Sequence, residues 1–524
     1  MNRIDLMNVS SIIIIMWTGS FAGIAQITPY ALQKFISSPA YASSKLDCPD
    51  QVTEFYTRIK FVSVWMQTPN EVNRSILLSH FQHAADIGLN EKDYQFKPVE
   101  AIRSKNISLL SIEDSLAAEV RITDAAIHFL NDLSYGNTIP AFRYHGLKYS
   151  PNCNNIPMLL EEYVSNNTLP HLIVGNFPVM EEIKPIERKI KWFQKIIAAP
   201  NFAEVNILFK TVNQSNKALI TKLYQLGIID SINKNISDTL LVQKVKEAQR
   251  HFDLLDDGVL RTTCLKQLNI PLSVRIRQLN LSINYYRWLY CITQNTSIIV
   301  VNLPAAYLKV YRDGKTILEM KVIVGKNHTP TPTLASTISE VVLYPYWHVP
   351  LSIATKELLP YIKRSPSFLE AGNYQVLNKS GKIIDPYTVN WNLYSKTYFP
   401  FIIRQSTGCD NSLGLLKLNF FSPFGVYLHD TPDKMLFMMG KRFFSHGCVR
   451  LEEPMQLGHL ILKNNPIAID TLEQKGCLRN QSPITVEADE RMPVIVWYNP
   501  AGIDKAGRVI FYDDIYGKFN WKNE

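Results

Sequence analysis

The chain has 524 residues, a formal charge of +9, 46% hydrophobic residues and 19% charged ones. That length exceeds one ordinary hydrophobic core and predicts two to four domains, and the composition excludes a disordered or low-complexity chain. No dense Lys/Arg run interleaved with aromatics occurs, so nucleic acid is not expected as a partner. The mild basic balance fits a polyanionic envelope or a carboxylate-bearing substrate.

Arg3 precedes an apolar stretch, Ile12 to Trp17, that runs on through Phe21 to Ala25. Gly23-Ile24-Ala25 matches a small-x-small cleavage pattern, so residues 1–26 read as an export signal or a retained N-terminal anchor. Residues 27–50 mix Pro, Ser, Ala and Lys without periodicity and predict a linker. Residues 51–215 predict a mostly helical scaffold, as in Ile122–Leu130, where apolar residues recur at three and four. Residues 216–290 predict a small helical unit: a helix carrying Val242, Val245, Ala248 and Phe252, a turn at Asp256-Asp257-Gly258, a short helix starting at Thr262 or Thr263, and a long one after Pro271.

The period changes to two after residue 296, with strands expected at Ser297–Leu303, Tyr307–Tyr311, Thr316–Val324 and Val341–Leu343, and a hairpin turn at Asp313-Gly314. Residues 350–400 turn helical and then aromatic-rich, the pattern of a subdomain inserted between strands and placed to act as a lid. Strand character returns at Gly425–His429, and a helix is expected from Pro454. Residues 483–524 predict a C-terminal β extension. The fold class is therefore α+β and multidomain: helical regions first, then a mainly β domain over 296–482 with a capping insertion.

Seven cysteines occur, none in C-x-x-C spacing, and the odd number leaves at least one without an intramolecular partner. One of them, Cys448, lies in Phe444-Ser445-His446-Gly447-Cys448-Val449-Arg450. Gly447 permits a sharp turn that exposes the sulfur and aims adjacent N–H groups at a substrate oxygen. Arg450, two residues on, favours the thiolate that attack requires. A base is needed as well. His446 is too close in sequence for an easy in-plane hydrogen bond to Cys448, whereas His429 ends a separate strand and can approach across a cleft. The expectation is His429 as base, His446 and Ser445 as support, and Asp430, through its carbonyl or its side chain, as the group orienting the imidazole. On spacing alone, a structural cysteine and a zinc site built from His429, His446 and Cys448 stay open.

The segment from His429 through Ser445-His446-Gly447-Cys448-Val449-Arg450-Leu451 resembles the signature of the YkuD-type L,D-transpeptidases. The flanks agree: Tyr427-Leu428-His429-Asp430-Thr431-Pro432, then Arg404-Gln405 with Gly408, Asn411-Ser412-Leu413-Gly414 and Lys417, and Pro345, Trp347, Val349 and Pro350 at the entrance of the capping insertion. Phe252–Leu268 resembles a small three-helix peptidoglycan-binding module. The resemblance implies a periplasmic enzyme, exported or anchored at the inner membrane, with a YkuD-like β-sandwich. It would form 3→3 cross-links from a tetrapeptide donor and an amine acceptor through a Cys448 thioester. It implies no cofactor, an oxyanion site made by the Gly447 and Cys448 N–H groups, and acylation by carbapenem-type β-lactams. Trp347, Arg404, Asn411 and Tyr427 are then expected to contact substrate. Cys409 reads as incidental. Two rivals remain: a non-catalytic wall-binding protein and a zinc-dependent amidase.

Overall fold

The computed structural model describes residues 27–67, 70–94, 111–149, 153–171, 180–232, 236–294, 296–465, 467–489, 491–519 and 521. The expected export segment, 1–26, lies outside them. Among the described residues no helix is long and apolar enough to cross a membrane. The chain divides into two compact units: residues 1–82, 91–130 and 155–175 form one, and the remainder forms the other.

The first unit is helical. Its core gathers Val52, Phe55, Trp65, Leu77, Phe81, Tyr94, Ile122 and Phe129. The predicted linker at 27–50 is instead helical at Pro29–Ile36 and Pro39–Ala42, with Leu32 and Ile36 buried. The residues that suggested a linker are helix-start signals. Thr28 and Ser38 accept hydrogen bonds from the amides of Ala31 and Tyr41, and a proline follows each cap. Glu119 is fully buried and accepts from the Val64 amide at 2.6 Å, the Met66 amide at 2.8 Å and the Ser63 hydroxyl at 2.8 Å. One carboxylate thereby satisfies a turn that no regular ladder reaches.

The second unit holds the β domain. The strands Lys315–Gly325 and Leu334–Leu343 are long enough to belong to two layers at once. The first half of Leu334–Leu343 pairs with Pro493–Trp497, and its second half pairs with Leu416–Phe420. Lys315–Gly325 pairs with Tyr307–Arg312 and then with Val449–Leu451. Hydrogen bonding consequently closes on itself around a sandwich core containing Ile299, Val301, Val322, Ile338, Leu418, Leu428, Val449 and Leu451. The expected C-terminal β extension adds two strands to this sheet, while Ala501–Ile503 and Val509–Phe511 pair with each other in a separate hairpin. Ile484–Glu487 pairs with Leu334–Leu343, and Pro493–Trp497 runs parallel to Ile298–Asn302. A strand buried on both sides needs partners that only the fold supplies.

The helices Asp238–His251, Thr262–Leu268 and Leu272–Thr293 appear where the sequence put them. They share one core with Ile298, Val300, Ile495 and Trp497 of the sheet. The helix Ile183–Ile197, which the sequence groups with the region before 216, buries Ile186, Ile190 and Phe193 in that same core. The capping insertion has its own small sheet, in which Ile402–Gln405 pairs with both Trp347–His348 and Tyr374–Leu377. Its own core is built on Ile362, Leu369, Val376, Trp391 and Ile403.

Two disulfides, Cys153–Cys291 and Cys409–Cys477, close loops of 138 and 68 residues. Cys409 is therefore a staple and not an incidental thiol, a pairing that spacing alone cannot reveal. Cys48, Cys264 and Cys448 lie outside these two disulfides. Alkylation of denatured, unreduced protein should label these three and spare the other four, read by peptide mass spectrometry. Label on Cys409 or Cys477 would contradict the pairing. Replacing Cys153 and Cys291 with serine should cost about 2–5 kcal/mol in denaturant unfolding.

Candidate active site

Three neighbouring strands build the site, and alternation decides which side chains reach it. Leu416 and Leu418, Leu428, and Val449 and Leu451 are fully buried in the sandwich core. The residues between them point the other way. In register, Lys417 lies opposite His429, and His429 lies beside Arg450. An imidazole thus sits between two cations on one face. Tyr427 is two residues from His429, so it shares that face; the two rings lie 5.6 Å apart.

The His429 Nδ1 lies 2.6 Å from the Asp430 carbonyl oxygen. A carbonyl only accepts, so Nδ1 carries the hydrogen, and in the neutral ring Nε2 is the bare acceptor. The sequence left the carbonyl and the side chain of Asp430 as alternatives for orienting the ring. The side chain is engaged elsewhere, accepting from the Leu415 amide at 2.9 Å and from Lys434 Nζ at 2.9 Å. It packs so closely on Gly414, whose φ is +61°, that a Cβ there would lie 2.2 Å from Asp430 Oδ2. Burial, then Arg450 and Lys417, push His429 down to about 3, against the opposing bond to Asp430. The ring is neutral at physiological pH.

Cys448 is half-buried beside this ring system. Its sulfur lies 4.0 Å from the Gly425 carbonyl oxygen. Burial pushes the thiol up from its ordinary value, and the neighbouring Tyr427, Lys417 and Arg450 offset part of that rise. The turn before it is held by a small ring of bonds. The Gly447 amide donates to Ser445 Oγ at 3.1 Å, and the Ser445 hydroxyl donates to the Cys448 carbonyl at 2.6 Å. Gly447 has φ +124°, a conformation that side-chain-bearing residues rarely adopt. Its amide is committed to Ser445, which narrows the expected pair of oxyanion donors to the Cys448 N–H.

The other expected residues divide. Trp347 lies near enough to Tyr427 to act on its hydroxyl, which brings the cap entrance towards the thiol. His446 turns outward, with Nε2 2.9 Å from Glu357 Oε1 of the cap, so it joins the catalytic loop to the lid and not to the sulfur. Arg450 pairs with Asp433 at 3.2 Å. Two expected substrate contacts are corrected. Asn411 is fully buried, donating to the Pro345 and Ser406 carbonyls at 3.0 and 2.8 Å and accepting from the Leu413 amide at 2.7 Å. It stitches the two necks of the cap together and has nothing left for a ligand. Arg404 is taken by Gln375 Oε1 and lies over the Tyr346 ring at 4.1 Å, inside the cap sheet. Lys417 had no role assigned from sequence. The alternation of Leu416-Lys417-Leu418 on one strand is the signal that could have placed it.

Residues 296–469 match the family model "L,D-transpeptidase catalytic domain", YkuD, and residues 50–179 match the model "Scaffold domain". A protein of Haemophilus influenzae named "Putative L,D-transpeptidase" is 36% identical over 219 residues. The match takes in 42% of this chain and 44% of that protein, less than half its length. Solved structures with similarity include an L,D-transpeptidase of Stackebrandtia nassauensis, 15% identical with TM-score 0.22, covering 57% of this chain and 98% of that one. Another is the catalytic domain of an E. faecium L,D-transpeptidase acylated by ertapenem, 15% identical with TM-score 0.16, covering 38% and 97%. At those scores the functional argument rests on the residues of this chain.

A raised thiol beside a neutral imidazole predicts a resting thiol and not a thiolate–imidazolium pair. The Cys448 thiol stays protonated below its raised value and ionises only as pH climbs towards it. Alkylation of native protein by iodoacetamide at Cys448 should thus quicken about tenfold per pH unit between pH 6 and 8. A plateau below pH 7 would contradict this protonation state.

Proposed function

From a chain that carries a YkuD-type L,D-transpeptidase catalytic domain, we propose a peptidoglycan transpeptidase that forms 3→3 cross-links through an acyl-enzyme on Cys448. The observation that carries the reading is the His429 ring: buried, neutral, and fixed by Asp430 so that Nε2 is its free acceptor. As the sulfur attacks the carbonyl of the donor's L-centre, Nε2 takes the thiol proton. The carbonyl π electrons move onto oxygen, and the Cys448 N–H receives that oxyanion. Collapse re-forms the carbonyl and breaks the C–N bond; the proton passes to the leaving D-alanine amine. An acceptor amine then attacks the thioester, loses its proton to Nε2, and the thiol is restored. A carbapenem would acylate the same sulfur by opening of its strained amide.

The location proposed is the periplasmic face of the envelope, reached by an export signal or anchor at 1–26. The two disulfides support an oxidising compartment. The 216–290 helices are proposed to help hold the enzyme on the wall, on the resemblance at Phe252–Leu268. The zinc amidase reading loses support. Among the described residues the donor atoms of His429, His446 and Cys448 do not converge to ligating distance, and the one such cluster is His459, Asp470 and Glu473.

The test is incubation of purified protein with disaccharide-tetrapeptides, followed by mass spectrometry. Expected are 3→3 dimers and a thioester adduct on Cys448, both absent in Cys448→Ala. His429→Ala should slow acylation by about 100-fold or more, whereas His446→Ala should slow it under about tenfold. Dimers made by Cys448→Ala would end the nucleophile assignment. A wild-type protein that binds the wall but yields neither dimer nor adduct would favour the non-catalytic reading.

A further inference from the structure

The Lys417 ammonium lies 4.2 Å from the centre of the Tyr427 ring, close enough to Cys448 for its charge to favour the thiolate. Among the described residues it has no carboxylate within ion-pair distance. Arg450, the other cation in the row, is paired with Asp433. The titratable and charged groups around Lys417 come from several adjoining elements. They are Glu340 on the neighbouring strand, His348 at the cap entrance, His429, Cys448 and Arg450. Glu340 is occupied by the Asn419 amide at 2.5 Å. The site thus holds one half-buried cation that makes no direct ion pair, attracted at longer range by Glu340, beside the nucleophile.

Covalent geometry identifies what fits there. A donor stem whose terminal residue leaves as an amino acid carries a free carboxylate on the α-carbon next to the scissile nitrogen. That carboxylate lies within about 5 Å of the attacked carbon. A chain placing its carbonyl against Cys448 brings the charge into this neighbourhood whichever way it enters.

We propose that Lys417 is the specificity residue that reads the terminal carboxylate of the donor, and that pairing with it readies His429 to accept the thiol proton. This rests on the transpeptidase reading above and names the substrate feature it needs. The second clause follows from the row of three. Lys417 and His429 are direct cross-strand partners, so an unpaired ammonium opposes protonation of the ring. A carboxylate seated on Lys417 cancels that field when the base is required. An empty site keeps a neutral ring beside a protonated thiol, which limits idle reaction of the cysteine. The donor carboxylate therefore acts on KM through the ion pair and on the acylation step through the imidazole.

The experiment compares two synthetic donor tetrapeptides, one ending in D-alanine and one in D-alanine amide, with Cys448 acylation followed by mass spectrometry against time. Wild-type protein should prefer the carboxylate donor by about 100-fold, the size of one charge-assisted hydrogen bond. Lys417→Met should reduce that preference to under about fivefold, and Lys417→Arg should keep most of it. A structural role would slow both donors equally and leave the ratio intact. Absence of preference in the wild type, or a preference unchanged in Lys417→Met, overturns the proposal. If neither donor acylates wild-type Cys448, the transpeptidase reading falls first, and the proposal with it. Thermal melting of each variant separates loss of fold from loss of recognition.

Discussion

The pairing of two residues, Leu428 and His429, between the strands Leu416–Phe420 and Val449–Leu451 is the constraint on which the site depends. Burial of Leu428 in the sandwich core fixes the phase of that short strand, and alternation then forces His429 to the opposite face. The same phase presents Lys417 from one side and Arg450 from the other. A slip by one residue would bury the imidazole in the apolar core and expose a leucine to the thiol. Core packing and catalytic placement are thus one constraint. Its strength comes from Leu418, Leu428, Val449 and Leu451, each worth about 1.5–3 kcal/mol of apolar burial.

The electrostatics follow from that row. Cations on both sides favour a thiolate and disfavour an imidazolium, so they act oppositely on the two partners of one proton transfer. Burial also favours the neutral form of both groups. The resting site is therefore uncharged at sulfur and at nitrogen. The backbone carbonyl of Asp430 fixes the tautomer, a task that side-chain carboxylates perform in many catalytic relays. A carbonyl orients the ring without contributing a full negative charge, which leaves the neighbouring cations as the dominant field on His429.

The cap is attached by groups that have no spare bonding capacity. Asn411 spans both necks, Gln405 donates to the Gly372 and Asp410 carbonyls, and Cys409–Cys477 holds the same segment from outside. Against these, the contact from the cap to the cysteine loop between Glu357 and His446 joins two solvent-accessible side chains and contributes little stability. The necks are rigid, and the contact at the lid's tip is weak. That division suits a cover that stays in place while its free edge yields to a substrate.

Much of this was readable in the amino-acid order. The change of period after residue 296, the turn at Asp313-Gly314, the helix after Pro271 and the cap between two strands are local patterns, and local patterns are written in spacing. Cys448, Gly447 and His429 stood out as candidates because the chemistry proposed for them demands those residue types close to a turn and a strand end. Tertiary structure alone decided the partner of Cys409, the choice of the Asp430 carbonyl over its side chain, the commitment of the Gly447 amide to Ser445, and the burial of Asn411. The helices within 27–50 and the pairing of Ile484–Glu487 and Pro493–Trp497 with the main sheet belong with these. Each of them depends on a group distant in sequence occupying a hydrogen bond or covering an apolar face, and one-dimensional spacing carries no record of which distant group arrives.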